Sequence, residues 1–213
     1  MKVSIVVPIE PGLVHSLSWA LALRRLEVPC EYHVHAIRGF PIDVARNYGV
    51  KEALKEGSDY IFFLDSDVIP DSPQALVWLL SWRLPVVSGV YRLKRVHDGS
   101  SFELNLFRRE PSGYRPLRPD EVPKGHRLVE VDACGAGLLL VAREVFERLE
   151  EPWFKWELMP WAEGSGPSED IYFCRRVREE LRLEIHADLW AMARHVLGAG
   201  LAVDAQGRLV NVL

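Results

Sequence analysis

The first apolar run, KVSIVVPI at residues 2–9, is short, rich in β-branched side chains and stopped by a proline, which is the pattern of a buried strand. LVHSLSWALALRRLEV comes next with apolar residues at helical spacing, so the chain opens with a β-α unit. YHVHAI predicts a second strand, and Asp43 to Glu56 a second helix. DYIFFLD predicts a third strand, whose unbroken apolar character places it inside a sheet covered on both faces. Three such units in succession call for a parallel sheet.

After Asp71, SPQALVWLLSW predicts a helix with Ser72 as N-cap and Pro73 at the first helical position, and PVVSGVYRL the next strand. From Asp98 to Pro123 the alternation breaks into short strands (SFELNLF) and a Pro/Gly/Arg-rich stretch, EPSGYRPLRPDEVPKG, that reads as a hairpin and exposed loop. Such a break marks substrate architecture rather than a second domain, because the remaining C-terminal segment is too short to stand alone. RLVEVDACGAGLLLVA is then a strand, a glycine turn and a strand, REVFERL a short helix, and SEDIYFCRRVREEL a longer helix with Ser168 as N-cap. LEIHADLWAMARHVLG and a hairpin around Gln206-Gly207 complete the tail.

Composition narrows the class. A chain of 213 residues with 48% hydrophobic and 26% charged side chains suits one packed domain, burying roughly 70 to 75% of its unfolded surface. A net charge of -4 supplies no basic field for nucleic acid, so none is expected as a partner. Three cysteines, Cys30, Cys134 and Cys174, without a CxxC pair or a leader, point to a reducing compartment, with the cytoplasm as the expected location. No apolar stretch reaches the length of a membrane span, which leaves only peripheral membrane contact open.

The candidate chemistry starts at FFLDSDVIPD, where Asp65 and Asp67 come directly after an apolar strand. Carboxylates two apart where a strand leaves a parallel sheet sit on the edge at which open α/β sheets bind ligands, and they suit Mg²⁺ or Mn²⁺ bridging a diphosphate. A plain polar turn into Ser72-Pro73 is the competing reading. Glu169 and Asp170 head a helix, where they either serve acid-base chemistry or only complement the helix dipole. Gly135 and Gly137 either let backbone approach a ligand or make a tight turn. Trp153, Trp156 and Trp161 offer faces for a sugar or fill the core. Arg92 and Lys94 face a phosphate or end a solvated strand.

These motifs, in this order, resemble those of GT-A glycosyltransferases, in particular the compact family 2-like enzymes. FLDSD is similar to their DxD motif, and Ala45-Arg46-Asn47 to a helix start that lies near the nucleotide. GAGLLLVAREVFERL resembles their glycine turn, strand and helix, SEDIYFCRRVRE their Glu-Asp motif, and HADLWAMARHVLG a late strand pair ending in a metal-site histidine. The resemblance implies that Asp67 is the principal metal ligand, with Asp65 helping at the ribose or the metal shell and His195 giving an imidazole that tilts the preference from Mg²⁺ to Mn²⁺. It also implies that Asp170, beside Glu169, is the general base, and that Pro8, Arg46, Asn47, Asp65, Ser66, Asp67, Gly135 and Gly137 lie along the donor. Where such enzymes commonly carry a Thr-Tyr-Asn turn and an acidic residue for the base, this chain has Pro8-Ile9-Glu10-Pro11 and Ile37-Arg38-Gly39-Phe40. Asp43 and Glu10 are the acidic residues nearest that part.

The expectation is therefore an α/β, GT-A (Rossmann-like) single domain over 1–213 with a central, mostly parallel sheet flanked by helices. Residues 1–91 form a nucleotide-binding half and 92–213 an acceptor half. The expected activity is metal-dependent transfer of a sugar from a nucleoside-diphosphate-sugar donor to a carbohydrate or other hydroxyl acceptor. Two alternatives stand beside it. A nucleotidyltransferase normally needs a glycine- and basic-rich loop after the first strand, where IEPGLVHS has one glycine and no basic residue. A non-catalytic sugar- or nucleotide-binding module would not need Asp67, Asp170 and His195 together.

Overall fold

The computed structural model describes residues 1–9, 17–97, 101–157, 168–198, 201–204 and 208–211. Glu10, Pro11, Trp161 and Gln206-Gly207, all of them candidates from the sequence, lie outside the described residues. In chain order the elements are β1 (Lys2–Ile9), α1 (Leu17–Arg25), β2 (Glu31–Arg38), α2 (Ile42–Lys55), β3 (Tyr60–Leu64), β4 (Val68–Pro70), α3 (Ala75–Ser81) and β5 (Val86–Val90). Next come β6 (Arg92–His97), β7 (Ser101–Leu104), β8 (Leu106–Glu110), β9 (Gly113–Pro116), a 3-10 turn (Pro119–Glu121), β10 (Leu128–Val131), β11 (Ala133–Cys134) and β12 (Leu138–Ala142). The last elements are α4 (Arg143–Arg148), α5 (Glu169–Glu180), β13 (Ile185–Gly198), β14 (Leu201–Val203) and β15 (Leu209–Asn211).

The central sheet runs in the order β2-β1-β3-β12-β5-β13. β1 is parallel to β2 and β3, and β13 is parallel to β5. β12 lies antiparallel between β3 and β5, so the sheet is mostly parallel but not wholly so. Alternate side chains feed two cores. Val6, Ile61, Phe63 and Leu139 pack under α2, α4 and α5, whereas Ile5, Phe62, Leu64 and Leu138 pack under α1 and α3. Phe62 and Phe63 have no exposed surface, and each such ring stabilises the fold by about 1.5–3 kcal/mol through burial. α2 approaches β1 closely at Gly49, where an added Cβ would overlap the Val6 side chain.

Three local expectations are corrected. The third helix begins at Ala75 with Gln74 at its cap, not at Ser72-Pro73. The Ser72 hydroxyl instead accepts the Gln74 N–H at 3.2 Å, which spends those residues in a turn before the helix. PVVSGVYRL is divided at Tyr91 between β5 and β6. The late strand pair is one strand of 14 residues, β13, with a register shift between Ala187 and Met192 that lets it serve β5 with its first part and β4 and β14 with its end.

Candidate functional site

The C-terminal ends of β1, β2, β3, β5 and β13 share one edge of the sheet, and the loop before the antiparallel β12 joins them there. Asp65 emerges directly from β3. Its N–H is fixed by the Gly137 carbonyl at 3.1 Å and its carbonyl by the Trp19 indole N–H at 2.9 Å. The Asp65 carboxylate faces Arg46, with Nη1 2.9 Å from Oδ1 and Nη2 3.0 Å from Oδ2. Arg46, on α2, is only 2% exposed. Its Nε donates to Glu169 Oε1 at 3.2 Å, and Nη1 reaches the Ala136 carbonyl at 3.4 Å. The guanidinium also lies 5.8 Å from the Phe63 ring centre and 6.0 Å from that of Phe154.

Burial works against the charge on Arg46, but the Asp65 and Glu169 carboxylates outweigh it and hold the guanidinium firmly protonated. One buried arginine thus ties the turn after β3 to the head of α5 and to the glycine loop. In sequence terms it read as a nucleotide-side residue, and the structure makes it a brace between carboxylates.

Glu169 and Asp170 occupy the first turn of α5. Ser168 stands at the N-cap, but its hydroxyl donates to Asp170 Oδ1 rather than capping the backbone. Asp170 Oδ1 also accepts the Ile171 N–H at 2.8 Å. Burial is the largest influence on both acids and pushes both upward, Glu169 to about 7, with the neighbouring Asp170 charge adding to the rise in Glu169 and Arg46 opposing it.

Asp67 belongs to a second cluster. Its Oδ2 receives Lys94 Nζ at 2.5 Å, and His195 Nε2 stands 3.4 Å from the same oxygen. His195 Nδ1 is 2.8 Å from the Arg92 carbonyl oxygen, which can only accept, so Nδ1 carries a proton and Nε2 is the nitrogen turned to Asp67. Burial raises the Asp67 carboxyl, but His195 and Lys94 overcome it and hold it below the usual carboxylate range. A carboxylate beside an imidazole nitrogen whose other N–H is tied to a backbone carbonyl is a donor set that suits a cation. Among the described residues, no group of three or more His, Cys, Asp or Glu is gathered to hold a metal ion, since Asp65 is turned to Arg46.

Tyr91 links the clusters. Its buried hydroxyl accepts the Gly137 N–H at 3.0 Å, and its ring meets His195 edge-on at 5.4 Å. Gly135 and Gly137 flank this hydroxyl, and a Cβ at Gly137 would sit 2.8 Å from it and 3.0 Å from Asp65 Oδ2. Ser66 is buried in the turn between the two aspartates. Asn47 points elsewhere, its Oδ1 accepting the N–H groups of Trp153 at 3.0 Å and Phe154 at 3.1 Å. Trp153 is core, with its indole N–H given to the Phe146 and Leu149 carbonyls, whereas Trp156 is exposed. Asp43 accepts the Val44 N–H at the start of α2.

Pro8 lines a cleft of about 600 Å³ with Ile9, Gly39, Phe40, Pro41, Ile42 and Ala45, at the ends of β1 and β2. Tyr91 and the brace formed by Arg46 escaped sequence reasoning, because neither a buried arginine nor a tyrosine at a strand end has a local signature. The Ala45-Arg46-Asn47 helix start was the available hint for Arg46.

This architecture is a GT-A-like (Rossmann-like) α/β fold. No family model matches the sequence, and no curated protein sequence does either. Among solved structures, A197 from STIV is similar over 99% of this chain and 94% of its own, with a TM-score of 0.67 and 22% identity. The catalytic domain of Drosophila β1,4-galactosyltransferase 7, in complex with xylobiose, is similar over 88% of this chain with a TM-score of 0.50 and 18% identity. This chain spans 64% of that domain. CMP:2-keto-3-deoxy-manno-octonic acid synthetase, complexed with CTP, aligns over 97% of this chain and 94% of its own with a TM-score of 0.49 and 15% identity. At these identities the likeness to the first two shows the fold alone. No described helix is long and apolar enough to cross a membrane.

Proposed function

We propose that this chain is a glycosyltransferase that moves a sugar from a nucleoside-diphosphate donor to a hydroxyl acceptor. The observation that carries this reading is the meeting, at one sheet edge, of the Asp67–His195 pair with the Glu169–Asp170 pair, joined through Arg46 and Asp65. Asp67 and His195 would hold a divalent cation, and the imidazole favours Mn²⁺ over Mg²⁺. Bound there, the cation supplies positive charge to the leaving diphosphate.

The chain's own groups do the remaining work. The apolar cleft beside Pro8 and Phe40 takes the flat base, with Asn47 outside it. Asp65, locked by Arg46, presents fixed negative charge to the ribose or to the cation's shell. Asp170 accepts the acceptor's hydroxyl proton, and burial makes it a stronger base than a free aspartate. Glu169 keeps Arg46 in place beside it.

Thermal unfolding with UDP, GDP and the other nucleoside diphosphates, each with Mn²⁺, Mg²⁺ or chelator, tests this reading. A ligand at about 100 times its Kd stabilises by roughly 2.7 kcal/mol, on the order of 5 to 10 °C for a domain of this size. The expected result is a shift with one nucleotide that requires the metal and is lost in Asp67→Ala. No shift with any nucleotide, or an undiminished shift in Asp67→Ala, would overturn it.

A further inference from the structure

The contacts of Asp67 point past a simple cation site. Lys94 Nζ lies 2.5 Å from Asp67 Oδ2, the same oxygen that His195 Nε2 approaches to 3.4 Å. A cation approaching Asp67 meets the positive charge already beside that oxygen. Lys94 supplies that charge from within the chain. It comes from β6, the strand whose Arg92 carbonyl orients His195, so one strand sets both the imidazole and its counter-charge. The Lys94 side chain is 40% exposed against 16% for Asp67, which leaves the ammonium free to move while the carboxylate stays.

Resting on the donor reading under Proposed function, we infer that Lys94 is a built-in competitor of the divalent cation: it occupies Asp67 in the free protein and gives the carboxylate up when cation and nucleoside diphosphate arrive together. An ammonium and a divalent ion cannot share Asp67 Oδ2 without bringing like charges into contact, so the cation alone binds weakly. A diphosphate brings enough negative charge to hold both, with Lys94 moving onto a phosphate oxygen through its flexible stem. Cation and nucleotide then bind with positive coupling, each raising the affinity of the other by the same factor. The chain is protected from taking up a cation that has no donor to act on.

Mn²⁺ titration of the full chain, followed by the electron paramagnetic resonance of free Mn²⁺, separates the possibilities. Wild type, Lys94→Met, Lys94→Arg and the double variant Lys94→Met/Asp67→Asn are compared with and without UDP or GDP. Lys94→Met is expected to bind Mn²⁺ alone about tenfold more tightly or better, a typical coupling factor, and to lose most of the gain that nucleotide gives wild type. Lys94→Arg is expected to behave as wild type, and the double variant to lose the tightened binding, which locates it at Asp67. The inference is overturned if Lys94→Met binds Mn²⁺ alone no more tightly than wild type, even where wild type shows metal-dependent nucleotide binding and the donor reading stands. If Lys94→Met tightens Mn²⁺ at Asp67 while no form binds any nucleoside diphosphate, the donor reading falls and the coupling to nucleotide with it, and Lys94 stands as a competitor of the cation alone.

Discussion

Replacing Glu169 by Gln keeps the size of a side chain that is 5% exposed and removes its titration. In the folded protein Glu169 holds its proton up to about pH 7, against an ordinary value of 4.5. The fold therefore binds a proton that the unfolded chain releases across that interval, and the contribution of this group is complete below about pH 4.5 and lost as pH rises through 7. At full expression the difference is worth roughly 3 kcal/mol. Wild type is thus expected to lose stability between about pH 4.5 and pH 7, with Glu169→Gln losing less by at least about 1 kcal/mol. Urea unfolding at half-unit steps of pH reads this directly, with the slope against denaturant as a check that both proteins unfold alike. Identical pH profiles for the two proteins would refute the account of Glu169 as a buried, raised acid.

Arg46→Met removes the brace and leaves Asp65 and Glu169 without it, and loss of one partner from a buried ion pair is expected to cost about 3–5 kcal/mol, read by chemical denaturation. Gly49→Ala forces a methyl into Val6, and overpacking of this kind is expected to destabilise by about 1–3 kcal/mol, visible as a lower Tm with no change in nucleotide binding. Asp170→Asn is expected to leave the nucleotide-dependent shift in Tm intact while lowering turnover by roughly 10²–10⁴, the usual worth of a general base. Full turnover in Asp170→Asn would remove it from the reaction.

The order of strands and helices was legible because burial leaves a period along the chain: β1 occupies residues 2–9 as the apolar run indicates, and α2 differs from the expected helix by one residue at each end. The direction of β12 was not, since a buried strand such as LLLVA looks the same whether its neighbours run with it or against it. Nor was the unity of β13, because the register shift that breaks its pattern also suggests a turn. The placing of Asp65 and Asp67 at the sheet edge came from the strand before them. Arg46 did not disclose its burial, because arginine is so seldom buried; the resemblance placed it along the donor rather than between two carboxylates. The contact of Lys94 with Asp67 joins residues from separate parts of the chain and needs the folded protein to be seen.

The antiparallel strand β12, set between β3 and β5, constrains both how the protein is made and how it can be altered. The gap between these two strands is filled only when the chain has been synthesised through Ala142, and the far side of β5 only when β13 emerges. A nascent chain ending near Tyr91 carries β3 and β5 with their hydrogen-bonding edges unmet, so the sheet closes late and through contacts distant in sequence. The same weave resists exchange of parts: grafting another protein's residues in place of everything after Tyr91 would withdraw the strand that separates β3 from β5. Altered sequence is therefore better introduced in the stretches that leave the sheet, such as the hairpin of β8 and β9, than by swapping one half of the chain for another.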